Sequence, residues 1–216
     1  MIIGKHHKYK EPPLIVQKIN SHIEHNLKEY LLIISIFLLG IVIGIVFINK
    51  TSSINDIQEY ITTIVNSLKS NKEINEILLL KKSILRNVSL AILIWLIGST
   101  VIGSFALYII IALKGFSIGY TVSAVIATLK LGKGSLFIFT SMFLQYLIYI
   151  PVLFALAVSG IKLYNSIIKN KNRENIKLAI LRHTIFSLFM SLFLVFSSFI
   201  EVFVSTKLLI IFIDYI

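Results

Sequence analysis

The sequence predicts an all-α protein: a polytopic integral membrane bundle of about five transmembrane helices, with an amphipathic helix lying on the membrane before them. Two observations carry this expectation. Of 216 residues, 56% are hydrophobic and only 14% are charged, which is more apolar than a water-soluble core of this size requires. The apolar residues also gather into long uncharged runs, of the length needed to cross ~30 Å of hydrocarbon.

Residues 1–30 form the first element. Val16, Ile19, Ile23, Leu27 and Tyr30 recur at three- and four-residue intervals, while Lys18, Glu24, Lys28 and Glu29 fall elsewhere on the wheel. That pattern predicts a helix lying on the inner leaflet. His6, His7, His22 and His25 lie nearby, but their spacing matches no standard zinc pattern, so no metal site is expected. The first span, 31–48, reads LLIISIFLLGIVIGIVFI. It is longer than a signal-peptide core and no small-residue cleavage site follows it, so it reads as an anchor.

Residues 49–86 are the longest polar stretch. Ile54, Ile57, Tyr60, Ile61, Ile64 and Leu68 fall at helical spacing within it, which predicts a partly helical extracytoplasmic loop. Such a loop either packs on its own spans or offers a docking surface. Residues 87–216 then supply a four-helix transmembrane core. Its spans are expected from Val88 to about Leu113, Gly115 to Leu129, Ser135 to Gly160 and Thr184 to Ser205, with a basic cytoplasmic loop at 161–183. The second of these is short, covering only about 22 Å as a helix.

Lysines and arginines set the orientation. Lys5, Lys8, Lys10, Lys18 and Lys28 precede the first span, and Lys162, Lys169, Lys171, Arg173, Lys177 and Arg182 follow the fourth. Five crossings put both groups on one side, which the positive-inside rule makes cytoplasmic. The N-terminus is then inside and the C-terminus outside. The net charge of +11 is concentrated at the ends of spans, so anionic lipid is the expected partner and nucleic acid is not. Without a cysteine there is no disulfide and no thiolate metal site.

Candidate residues stand out by size or polarity. Gly115, Gly119, Ser123 and Ala127 recur every four residues and so share one ridge. Small residues let helix backbones approach closely, and in lipid such packing replaces the hydrophobic drive between helices. Gly40 and Gly44 offer the same device in the first span, and Gly98, Gly103 and Ser104 in the second. The ridge would serve within one chain or between two copies in a homodimer. In the last span Thr184, Ser187, Ser191, Ser198, Glu201 and Ser205 make a polar stripe interrupted by Leu194. Glu201 is the one acidic residue in any expected span, which makes it a site candidate. Gln145 lies near mid-membrane and is expected to bond across to another helix, and Pro151 to kink its own.

The run RNVSLAILIWLIGSTVIGSFALYIIIALKGFSIGYTV, from Arg86 to Val122, resembles the middle of the stage II sporulation protein M family. The resemblance includes Asn87 at the mouth of the second span, the glycine pair and the LKG turn. It continues through FLQYLIYIP, Phe143 to Pro151, with a polar residue six positions before the proline, and through SSFIEVFVS, Ser197 to Ser205, with its glutamate. Where more distant relatives often place a histidine and a glutamate before that proline, this chain has Gln145 and Tyr149. The resemblance implies a protein of the mother-cell membrane at the sporulation septum, without catalytic activity or cofactor. It further implies that the protein holds two peptidoglycan hydrolases, stage II sporulation proteins D and P, during engulfment of the forespore.

An enzyme is not expected from the residues either. The spans pair no nucleophile with a base, and His183 is expected at the cytoplasmic edge. A small-solute or ion transporter is the rival reading. It would have to use Glu201, Gln145 and the polar stripe of the last helix.

Overall fold

The fold is that of a computed structural model, which describes residues 24, 26–50, 54–70, 75–100, 103–169 and 176–216. The described residues are almost wholly helical. The histidine group and most of the expected interfacial helix lie outside them, while Leu27 and Tyr30 belong to the helix that forms the first span.

That helix, α1 (Leu27–Lys50), buries Ile33, Phe37, Gly40, Gly44 and Ile48 along one seam and leaves the rest of its apolar surface bare. One buried stripe on an otherwise apolar rod suits a helix facing lipid on its outside. Helix α2 (Ile54–Lys69) is short and amphipathic. Its Ile61 packs with Ile48, Ala124 and Val125, and its Val65 with Leu209, Ile213 and Ile216. It therefore sits on the end of the bundle where α1 finishes.

Helix α3 (Glu76–Gly98) starts with Asn75, whose side chain accepts a hydrogen bond from the Leu78 N–H at 2.9 Å. At its other end the last carbonyls are taken up locally. Ser99 Oγ donates to Trp95 O at 2.9 Å, Thr100 Oγ1 donates to Ile97 O at 2.7 Å, and Gly103 N–H donates to Thr100 O at 3.1 Å. A side chain at Gly103 would collide with the Ile97 carbonyl, so the chain can turn this tightly only with glycine there.

Helix α4 (Gly103–Ile138) then runs without interruption through Lys114 and the Gly115–Leu129 stretch until it breaks at Lys130, at φ 65° and ψ 168°. A non-glycine residue at positive φ is strained, and here it accompanies a sharp reversal. Beyond it, Gly134 lies against Ile126 of the limb it has just left. The second limb passes through widened turns at Phe139–Phe143 into α5 (Leu144–Lys169). Helix α6 (Ile176–Phe199) likewise continues through widened turns at Ile200–Ser205 into α7 (Thr206–Phe212) and a final 3-10 turn, Ile213–Tyr215.

These bounds correct the expected ones. The chain turns at Gly98–Gly103, not at the lysine of LKG, so the segment from Gly115 is the second half of one long helix and is not short at all. Helical structure also continues through much of the expected loop at 161–183, as far as Lys169 and again from Ile176. Among the described residues three stretches are long and apolar enough to cross a membrane: Leu27–Lys50, Gly103–Ile168, which contains the reversal at Lys130, and Ile176–Tyr215. Helix α3 is of similar length but carries Glu76, Lys81, Lys82 and Arg86, and it is not among them.

Helix α5 is the centre of the bundle, in contact with α1, α3, α4 and α6. Its Leu153, Leu156, Ala157 and Val158 have no exposed surface. Helices α1 and α4 run parallel and close: Gly40 and Gly44 meet the backbone of Ala112, Phe116 and Tyr120, while Gly115 and Gly119 meet that of Phe37 and Ile41. The expected ridge thus has its mate within the chain. Ser123 is only half-buried and Ala127 is exposed, so the close packing ends at Gly119. At the opposite end of the bundle Gly98 and Gly160 cross, and a Cβ added to Gly98 would lie 2.8 Å from Gly160 Cα.

Candidate functional site

Helices α3 and α4 rise from their common turn side by side, with α5 behind them. Asn87 and Lys114 each lie eleven residues from that turn (Gly98 and Gly103), which places both about 16 Å up their helices. Between the two helices is a cavity of about 120 Å³. Arg86 and Asn87 of α3, Lys114 and Ser117 of α4, and Gln145, Tyr146 and Tyr149 of α5 line it. Among the described residues this is where polar side chains from three helices converge.

Glu201 closes the arrangement from the widened turns that follow α6. One guanidinium nitrogen of Arg86 donates to both carboxylate oxygens, at 2.9 and 2.7 Å, and Ser83 Oγ donates to the same carboxylate. The Glu201 side chain is only 18% exposed, so the pair substitutes for water that the carboxylate has lost. The widened turn supports this placement. Both the backbone N–H and the Oγ1 of Thr206 donate to Glu201 O, the first of these being the five-residue step of a π turn. Buried Ser198, Val202, Ser205, Leu209 and Ile213 step mostly by four residues, which outruns a 3.6-residue turn, and the widened turn keeps them on one face.

Asn87 adds a second tie between α3 and α6. Its amide donates to Ser198 Oγ at 2.8 Å and to Leu194 O at 3.3 Å. Its Oδ1 is buried without a hydrogen-bond partner. Gln145 is buried, and the cross-helix bond seen there involves its backbone carbonyl, which accepts from Ser197 Oγ at 3.2 Å, while its side chain lines the cavity. Pro151 is exposed, and α5 stays helical through it.

The polar stripe of α6 is divided. Thr184 accepts from Trp95 Nε1 at 3.0 Å, Ser187 is buried, and Ser191 turns back on its own helix at Leu188 O. His183 is buried: it is 3% exposed, with Nδ1 2.8 Å from Ser159 Oγ, beside the Gly98–Gly160 crossing. Sequence reasoning missed Arg86, Lys114, Ser83 and Ser197 as members of the cluster. The signal that could have found the first two is the Gly98, Ser99, Thr100, Gly103 group, which marks a turn and moves both cations to mid-helix. Among the described residues no three His, Cys, Asp or Glu side chains converge to hold a metal.

A family model described as Stage II sporulation protein M matches residues 33–206, which include the whole polar cluster and the glycine-packed helices. The chain belongs to that family. No curated protein and no solved structure matches it.

Proposed function

We propose that this member of the stage II sporulation protein M family is a non-enzymatic scaffold of the engulfment machinery in the mother-cell membrane at the septum. On this reading the chain crosses the membrane five times, by α1, α3, the first limb of α4, its second limb with α5, and α6 with α7. The N-terminus is cytoplasmic and the C-terminus external. The protein holds peptidoglycan hydrolases, of the kind of stage II sporulation proteins D and P, on its external end.

One observation carries the reading: α2 and the C-terminal turn are packed together on the bundle end that this topology turns outward. Ile61 and Val65 fasten α2 to the bundle, while Tyr60 remains 68% exposed. A fixed helix with an exposed tyrosine is suited to partner contact. The interior supports the same conclusion, because Glu201 is engaged by Arg86 and Ser83 in holding α3 to the widened turns after α6.

The test is a photo-crosslinking residue in place of Tyr60, followed by purification from sporulating cells. A cell-wall hydrolase crosslinked to the protein is the expected result, and its absence would contradict the scaffold reading. The cavity beside Lys114 favours a second reading, solute transport, which lysine-dependent flux in proteoliposomes would support.

A further inference from the structure

Lys114 and Arg86 bring two cations to one cavity, and none of the side chains lining it is acidic. The nearby carboxylate, Glu201, is occupied by Arg86 and Ser83. The cavity wall therefore carries a surplus positive charge between apolar helices, where an unbalanced charge is costly. Its other polar groups can each donate: the Lys114 ammonium, the Gln145 amide and the Ser117, Tyr146 and Tyr149 hydroxyls. The volume of about 120 Å³ has room for a group larger than a single water.

We infer that this cavity is a binding site for a phosphate group. The phosphate oxygens are held by Lys114 and the donors around it. Phosphate supplies the missing negative charge and several acceptors at once. Two sources share this chemistry: inorganic phosphate, and the glycerol-phosphate headgroup of an anionic phospholipid. The site is independent of the scaffold role, because binding is read on the purified protein and scaffolding from the partner recovered in cells.

The full-length protein in detergent is heated with inorganic phosphate or with chloride at equal ionic strength. In parallel, native mass spectrometry counts phospholipid retained from nanodiscs of phosphatidylglycerol or phosphatidylcholine. Stabilisation by phosphate alone identifies the free ion as ligand, and selective retention of phosphatidylglycerol identifies the lipid. In either case Lys114→Gln weakens binding about tenfold or more, while Lys114→Arg retains it. A wild-type protein that neither responds to phosphate beyond chloride nor prefers phosphatidylglycerol overturns the site, whatever the variants do. So does a folded Lys114→Gln protein that binds as the wild type does.

Discussion

Arg86 and Glu201 are 115 residues apart in sequence and share a carboxylate–guanidinium contact inside an apolar bundle. Removing the acid leaves the base without its countercharge, and breaking a buried pair costs several kcal/mol. The Arg86 side chain is 54% exposed, which reduces that figure. Glu201→Gln is expected to lower stability by about 1–3 kcal/mol in denaturant titration of the detergent-solubilised protein. Combined with Arg86→Gln it should cost less than the sum of the two single changes, by about 1 kcal/mol. Full additivity would show that the contact contributes nothing. Glu201 was legible in the sequence because an acidic residue inside an apolar run has few bland explanations. Its partner was not, because Arg86 read as the end of a loop and Lys114 as a turn.

The helices explain that misreading. From Val88 to Leu113 hydropathy runs without a gap, and the turn at Gly98–Gly103 is announced only by two glycines and two hydroxyl residues that bond back to their own helix. Periodicity detects which face is buried but is blind to a reversal made of apolar and small residues. It did find the ridge of Gly115 and Gly119, whose spacing is a property of one helix. It could not name α1 as the mate, because that requires a second helix in space. The packing makes a sharp prediction. Gly119→Leu drives a side chain into the Ile41 backbone and should force α1 from α4, reducing the yield of monodisperse protein several-fold. Gly132→Ala, where an added Cβ meets nothing within 4 Å, should leave the yield unchanged. Equal yields of Gly119→Leu and wild type would mean that these helices do not pack as described.

Across the whole molecule, the two ends differ. One gathers the Gly98–Gly103 turn, the Gly98–Gly160 crossing and His183; the other gathers α2, the Lys130 reversal and the C-terminus. Moving the turn from Lys114 to Gly98–Gly103 leaves the number of reversals unchanged, so the sidedness inferred from lysine and arginine is unaffected by the error in the span bounds. The scaffold account requires α2 outside and that turn inside. Because the chain has no cysteine, single cysteines at Ser70 and Thr100 report on each end without background. In intact cells, a membrane-impermeant maleimide is expected to label Ser70→Cys, and to label Thr100→Cys only after permeabilisation. Labelling of both from the same side, or of Thr100→Cys alone, would contradict the account.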